Sequence, residues 1–262
     1  MPVSANATPE DRVLALAGSL NTRDLGGLPL ARGGRTRFGV MLRSDALLTL
    51  GQADADCLAE LPLTTVIDLR QPYERERDRS ALVEWGGVEI HQIEIWQAIF
   101  EAGRVPDDPW DLSALYVAAL DHCGDAFAEA TRVLCEAPGA ALFHCTAGKD
   151  RTGILAALLL EAVGVPRAAV IADYALTHDR IDPLRERLLV DAEARGIARE
   201  DFARLLGATP EMLLPALDHL DERYRGARGY LLSTGVDVVT LDRLQTRLVD
   251  GAAEPGPGST RP

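Results

Sequence analysis

The chain has 262 residues, 47% of them hydrophobic and 26% charged, with a formal net charge of −13. It is long enough for one large domain or two small ones, and its acidity argues against a nucleic-acid partner and against unspecific adhesion to anionic membranes. No apolar run approaches the ~18 residues of a membrane span and no basic-then-apolar leader opens the chain, so neither stable membrane insertion nor a signal peptide is expected; a cytoplasmic location follows, with unconventional secretion left open.

Four cysteines (Cys57, Cys123, Cys135, Cys145) and five histidines show neither a Cys-x-x-Cys pair nor metal-ligand spacing. No metal or cofactor is therefore called for, and Cys57, Cys123 and Cys135 read as plain reduced thiols. No Pro/Gly/Ser-rich linker interrupts the middle, so residues 10–250 read as a single domain between flexible tails at 1–9 and at the Gly/Pro-rich 251–262.

In chain order, residues 12–17 are apolar but short, and Thr8-Pro9-Glu10-Asp11 ahead of them can cap a helix. Arg23 and Asp24 precede the Gly26-Gly27 turn and read as an internal ion pair bracing it. Residues 38–42 read as a strand ended by Ser44-Asp45, and 48–61 carry helical spacing that Pro62 stops. The β-branched residues 64–69 read as a central strand running into a charged loop at 70–79, where Arg70 and Glu74 are spaced i, i+4 as a bracing pair. Residues 88–95 alternate as another strand, and 96–111 is irregular, with turn and cap chemistry around Asp107, Asp108 and Asp111. Helical spacing dominates 112–137 apart from a break near Cys123-Gly124, and Pro138-Gly139 turns the chain into the apolar run 140–143. Later helices are expected at 154–163, from Val165-Pro166 through Thr177, from Pro183 to Ala194, from Thr209-Pro210, and at 229–234 and 238–249. Strands alternating with helices, then helices alone, indicate an α/β fold.

Between the apolar runs 140–143 and 154–163 lies His144-Cys145-Thr146-Ala147-Gly148-Lys149-Asp150-Arg151-Thr152-Gly153. A turn from buried strand to buried helix gathers free backbone N–H groups and the positive end of the helix dipole, which makes an anion site. A cysteine held there is stabilised as the thiolate and is a nucleophile. Arg151, six positions on, can fold back and offer a planar fork to two phosphate oxygens. Gly148 permits close backbone approach, and Thr152 can donate its hydroxyl to the sulfur. Of the 27 basic residues, Lys149 is the only lysine, placed where a compact ammonium suits a further phosphate oxygen. Thr146, Ala147, Gly148, Lys149, Asp150, Arg151 and Thr152 are thus the candidate phosphate-binding set around Cys145. A lone buried cysteine beside an arginine that caps a carboxylate is the bland alternative, and the coincidence of these features argues against it. A nucleotide-binding P-loop is excluded because Asp150, not Ser or Thr, follows Gly148-Lys149.

The stretch resembles the signature of cysteine-dependent protein tyrosine phosphatases, in the Ala-Gly-Lys-Asp-Arg form of an atypical bacterial branch. The segments Asn21-Thr22-Arg23-Asp24-Leu25-Gly26-Gly27, Leu42-Arg43-Ser44, Val66-Ile67-Asp68-Leu69-Arg70 with Glu74, and Ala172-Asp173-Tyr174 resemble segments of that family in the same order, so the likeness spans residues 12–250. The resemblance implies a cysteine-dependent phosphatase fold, with a central, mostly parallel sheet flanked by helices and a strand at 12–17. It also implies metal-independent hydrolysis of phosphate monoesters through a cysteinyl-phosphate on Cys145, with Arg151 holding the phosphate and the Asp-Leu-Arg segment bracing the loop. Expected substrates are phosphorylated proteins, on tyrosine or on serine and threonine, and, through Lys149, phosphoinositides. Asp150 is the general acid by this likeness. Relatives that carry the acid on the loop after the strand at 88–95 would place it where this chain has Trp96-Gln97, which leaves Asp107, Asp108 and Asp111 as runners-up. The segment 96–112 is short for the family's long helical lid, and His144 reads as a loop brace. A phosphatase fold that binds without turnover, or another cysteine-loop enzyme such as an arsenate reductase or sulfurtransferase, are the rival readings.

Overall fold

In chain order, the computed structural model describes residues 10–108 and 110–250; the tails expected at 1–9 and 251–262 lie outside the described residues. After one 3₁₀ turn, Glu10–Arg12, come β1 (Arg23–Asp24), β2 (Met41–Ser44), α1 (Gln52–Ala59), β3 (Leu63–Asp68), α2 (Pro72–Arg77), α3 (Leu82–Trp85) and β4 (Glu89–Gln92). Next are α4 (Gln97–Glu101), α5 (Leu112–His122), α6 (Gly124–Glu136), β5 (Ala140–His144) and α7 (Asp150–Ala162). The chain then stays helical: α8 (Arg167–Ala175), α9 (Thr177–Ala194), α10 (Arg199–Arg204), α11 (Pro210–Tyr224), α12 (Ala227–Ser233) and α13 (Val238–Leu248).

The sheet order is β1-β2-β5-β3-β4, with only β1 antiparallel to its neighbour. The fold is therefore α/β with a central, mostly parallel sheet, as expected. β5 is its middle strand and is buried along its whole length, which is why its sequence is an unbroken apolar run rather than an alternation. Register brings Ser44 of β2 and Asp68 of β3 to either side of His144. The carboxyl ends of three parallel strands thus meet at one edge, the usual place for a ligand in an open α/β sheet. α7 starts from that edge and is buried on all sides except at Asp150 and Glu161. Its fully buried Leu155, Leu158, Leu159 and Leu160 each contribute about 1.5–3 kcal/mol relative to exposure, so the helix terminus is fixed by the core. Among the described residues no helix is long and apolar enough to cross a membrane.

Several elements depart from the sequence reading. Residues 12–17 form neither a capped helix nor a strand; they meet β1 through the single bridge Val13↔Arg23 and through Arg12, which donates to Asp24 O at 3.1 Å. β2 begins at Met41, because Phe38-Gly39 belongs to a turn in which Gly39 has φ +70° and donates its N–H to Asp24 Oδ2 at 2.6 Å. Residues 72–77 are helical, started by Pro72 and by a cap in which Gln71 N–H donates to the Glu74 carboxylate at 2.9 Å. The irregular 96–111 holds the short α4. Pro183 lies inside α9 rather than opening it; buried Thr177, which accepts from Arg23 at 3.1 Å, and buried Ile181 tie down the turns ahead of it.

Candidate active site

Residues 145–149 link β5 to α7 with their carbonyls engaged from behind. Ala46 N–H donates to Thr146 O at 3.0 Å, Asn21 Nδ2 to Ala147 O at 2.8 Å and to Gly148 O at 3.2 Å, and Arg43 to Gly148 O at 2.7 Å. Among the described residues, the N–H groups of 146–150 find no acceptor. Gly148 has φ +66°, and a Cβ there would fall 2.5 Å from Ser44 O, so only glycine fits. The result is a nest of donors at a helix N-terminus, with the buried Cys145 at its start. His144 is buried beside it, its Nδ1 3.1 Å from Cys145 O, and burial lowers its pKa against the pull of Asp68.

Arg151 lies under this nest in a fork-to-fork pair with Glu74, at 2.5 and 2.8 Å. The expected Arg70–Glu74 brace is not formed. Arg70 folds back onto Asp68, two residues earlier, at 2.7 and 2.9 Å, while the α2 cap turns Glu74 toward Arg151 and the Thr146 hydroxyl. Burial alone would raise the Glu74 pKa, but Arg151 and Thr146 outweigh it and hold the carboxyl at about 2. Burial would likewise lower Arg151, yet Glu74 and Cys145 keep its pKa above the ordinary value. Among the described residues Arg151 Nε and Thr152 Oγ1 are buried without partners, and the Trp96 ring lies 5.9 Å from the guanidinium.

Lys149 is buried, donating to Leu205 O and lying 3.1 Å from Asp150 Oδ1. The same Oδ1 accepts from the Tyr116 hydroxyl. Asp107, Asp108 and Asp111 are exposed and stand away from the loop; Asp111 caps α5 and Asp108 accepts from Trp110 N–H. Over the loop sits a cavity of about 220 Å³. It is lined by the loop residues Cys145, Thr146, Ala147, Lys149, Asp150 and Arg151, by Trp96, Leu112 and Leu115, and by Ile181 and Leu188 of α9, Phe202 of α10, and Leu205 and Leu206. The 96–112 segment and the helices α9 and α10 thus both contribute to the cavity wall.

Arg23 and Asp24 do not pair. Adjacent strand residues point to opposite faces, so Asp24 takes the N–H groups of Gly26 and Gly39 at 2.7 and 2.6 Å, while Arg23 reaches Asp173. That carboxylate is shared by Arg12, Arg23 and Arg43 at 2.7, 3.1 and 2.8 Å, all buried. Burial would raise the Asp173 pKa, but the three arginines hold it far below the carboxylate range. Arg43 links this hub to Gly148 O. Asn21, Tyr116 and the hub were not singled out as site residues from the sequence, since each works through partners far along the chain. Burial pushes the thiols of Cys123 and Cys135 up to about 11 and about 12, so they are inert bystanders.

A parallel sheet with a cysteine-arginine loop at its carboxyl edge defines a phosphatase fold. The family model described as "Tyrosine phosphatase family" matches residues 14–250, and the chain belongs to that family as a protein tyrosine phosphatase. It is 31% identical to a tyrosine-protein phosphatase of Nostoc commune over 84% of this chain and 78% of that protein. It is 29% identical to the triple specificity protein phosphatase PtpB of Mycobacterium tuberculosis over 89% of this chain and 98% of that protein.

Proposed function

We propose that Cys145 Sγ attacks a phosphate monoester in line, forming the S–P bond as the ester P–O bond breaks, while Asp150 gives its proton to the leaving oxygen. Water then attacks phosphorus, its proton passes to Asp150, and the S–P bond breaks to release inorganic phosphate. Thr146, Ala147, Gly148, Lys149, Asp150 and Arg151 surround the equatorial oxygens with N–H donors, joined by Arg151 Nε; Thr152 supports the thiolate. The observation that carries this reading is the loop itself: its carbonyls are bound from behind, and its N–H groups, Arg151 Nε and Thr152 Oγ1 have no partners beside Cys145 among the described residues. Asp150→Asn is expected to slow phenyl phosphate by roughly 10²–10⁴-fold, and p-nitrophenyl phosphate, whose leaving group needs no proton, far less. Equal losses on the two esters, measured as kcat/KM so that only the step releasing the alcohol is compared, would move the acid elsewhere.

For substrate breadth, the reading is phosphotyrosine first, with phosphoserine, phosphothreonine and phosphoinositides accepted. Support comes from the second cation at the loop, Lys149, and from the name of the Mycobacterium tuberculosis relative, which carries the words "triple specificity". Lys149 is held by Leu205 O and Asp150, so an inositide with several phosphates has to draw the ammonium away from that carbonyl. A phosphate-release panel across the four substrate classes tests the breadth. Lys149→Ala should raise KM for a multiply phosphorylated inositide by a larger factor than for a phosphotyrosine peptide, since only the former offers a second phosphate to bind. The same factor for both would leave plain tyrosine phosphatase.

A further inference from the structure

The loop alone does not hold Asp150. Both of its anchors, the Tyr116 hydroxyl and Lys149 Nζ, meet Oδ1, while Oδ2 has no partner among the described residues and the side chain is 28% exposed toward the cavity. Lysine is a flexible anchor with a competing contact at Leu205 O. Tyr116 is a rigid one: it is fully buried on α5, its ring meets that of Tyr174 edge to face at 6.3 Å, and Tyr174 packs against Gly153 of α7 so closely that a Cβ there would lie 2.9 Å from the ring. The hydroxyls of Tyr116 and Tyr174 are 2.8 Å apart. A phenol has one proton; Tyr116 gives its own to the carboxylate, so between the two rings the donor is Tyr174, whose other acceptor in reach is the weaker Met212 Sδ at 3.9 Å. Burial and the neighbouring Asp150 push the Tyr116 phenol well above its ordinary range, which keeps it a donor at any working pH.

We propose that Tyr116, oriented by Tyr174, is a positioning residue for Asp150: it fixes Oδ1 as the acceptor oxygen, so that the transferable proton rides on Oδ2. A carboxylic acid that donates from Oδ2 still accepts at Oδ1, so the Tyr116 bond persists as the proton leaves for the ester oxygen and as it returns from the attacking water. The transfer then needs no rotation of the carboxyl group. Without the bond, Asp150 turns toward Lys149 alone and the proton is shared between two oxygens, one of them facing away from the leaving group. General acid catalysis depends on such placement, and small misplacements are costly.

This inference rests on Asp150 being the acid, and the experiment separates the two. We would measure kcat/KM, which reports only the steps up to the cysteinyl-phosphate, for a series of aryl phosphates of rising leaving-group basicity with wild type, Tyr116→Phe, Asp150→Asn and the double variant. Tyr116→Phe, which keeps the ring and removes one oxygen, should lower kcat/KM by about tenfold on phenyl phosphate and by about twofold or less on dinitrophenyl phosphate, and should add little in the Asp150→Asn background. Tyr174→Phe should act in the same sense with a smaller factor. The rate of Cys145 alkylation, unchanged in Tyr116→Phe, reports an intact loop. If Asp150→Asn steepens the leaving-group dependence and Tyr116→Phe does not, or if Tyr116→Phe slows all esters alike, the positioning role is wrong while the acid stands. If Asp150→Asn leaves the slope unchanged, both fall.

Discussion

Replacing Cys145 with serine is expected to lower kcat by roughly 10⁴- to 10⁶-fold, the scale of loss when the nucleophile is taken from a concerted catalytic unit. The helix terminus and the loop N–H groups can stabilise a thiolate, whereas a serine hydroxyl stays protonated under the same field and is a poor nucleophile toward phosphorus. Cys145 is buried and its sulfur makes no hydrogen bond among the described residues, so the change of one atom leaves the packing and the donor nest in place. The serine variant should therefore bind phosphorylated peptide with little loss while failing to turn it over. Rapid quenching of wild type with labelled substrate should yield a covalent phosphate that the variant lacks. Turnover by Cys145→Ser within about a hundredfold of wild type would remove the cysteinyl-phosphate from the mechanism.

What could be read from the sequence, and what could not, divides along the distance between partners. The run 140–143, the loop behind it and the buried α7 are legible because their signals are local: an unbroken apolar strand, a turn, and an apolar helix. The break between α5 and α6 at Cys123 was legible for the same reason. Glu74 shows where local logic fails. Spacing i, i+4 pairs it with Arg70, but residues 71–74 form a cap that aims the carboxylate across the sheet at Arg151, while a nearer acid at a strand end takes Arg70. The Arg23–Asp24 pair fails because strand neighbours diverge, and the true partner of Arg23 is Asp173, 150 residues away. Tyr116 sits on a helix whose spacing reads only as core, and its hydroxyl becomes informative once α5 is placed against α7 and α8. Pro183 misleads about α9 because a proline inside a helix costs about 3 kcal/mol locally, a penalty that the tertiary ties of Thr177 and Ile181 offset.

Asp173→Asn is expected to be the most destabilising conservative substitution at the site. Three guanidiniums, with side-chain exposures of 5%, 0% and 1%, converge on this one carboxylate. Burial and Arg43 already lower the Arg23 pKa to about 9, against the pull of Asp173. Asparagine keeps the shape but removes the only anion paired with these three guanidiniums among the described residues, leaving them facing one another. Removing one partner of a buried ion pair costs about 3–5 kcal/mol. At ~2–4 °C per kcal/mol for a chain of this size, the melting temperature should fall by roughly 6–20 °C. The effect has a defined pH range. The folded-state pKa of Asp173 lies below its ordinary 3.8, so its contribution is complete above 3.8, fades as pH falls below that value, and is gone beneath the folded-state value. The gap in melting temperature between wild type and variant should thus stay constant through neutral and mildly acidic pH and shrink only below 3.8. A gap already closing near neutrality would mean that other groups, not this hub, carry the difference. Activity should fall as well, because Arg43 connects Asp173 to Gly148 O; with that link loosened, the φ +66° turn at Gly148 that gathers the loop N–H groups loses one of its two side-chain braces.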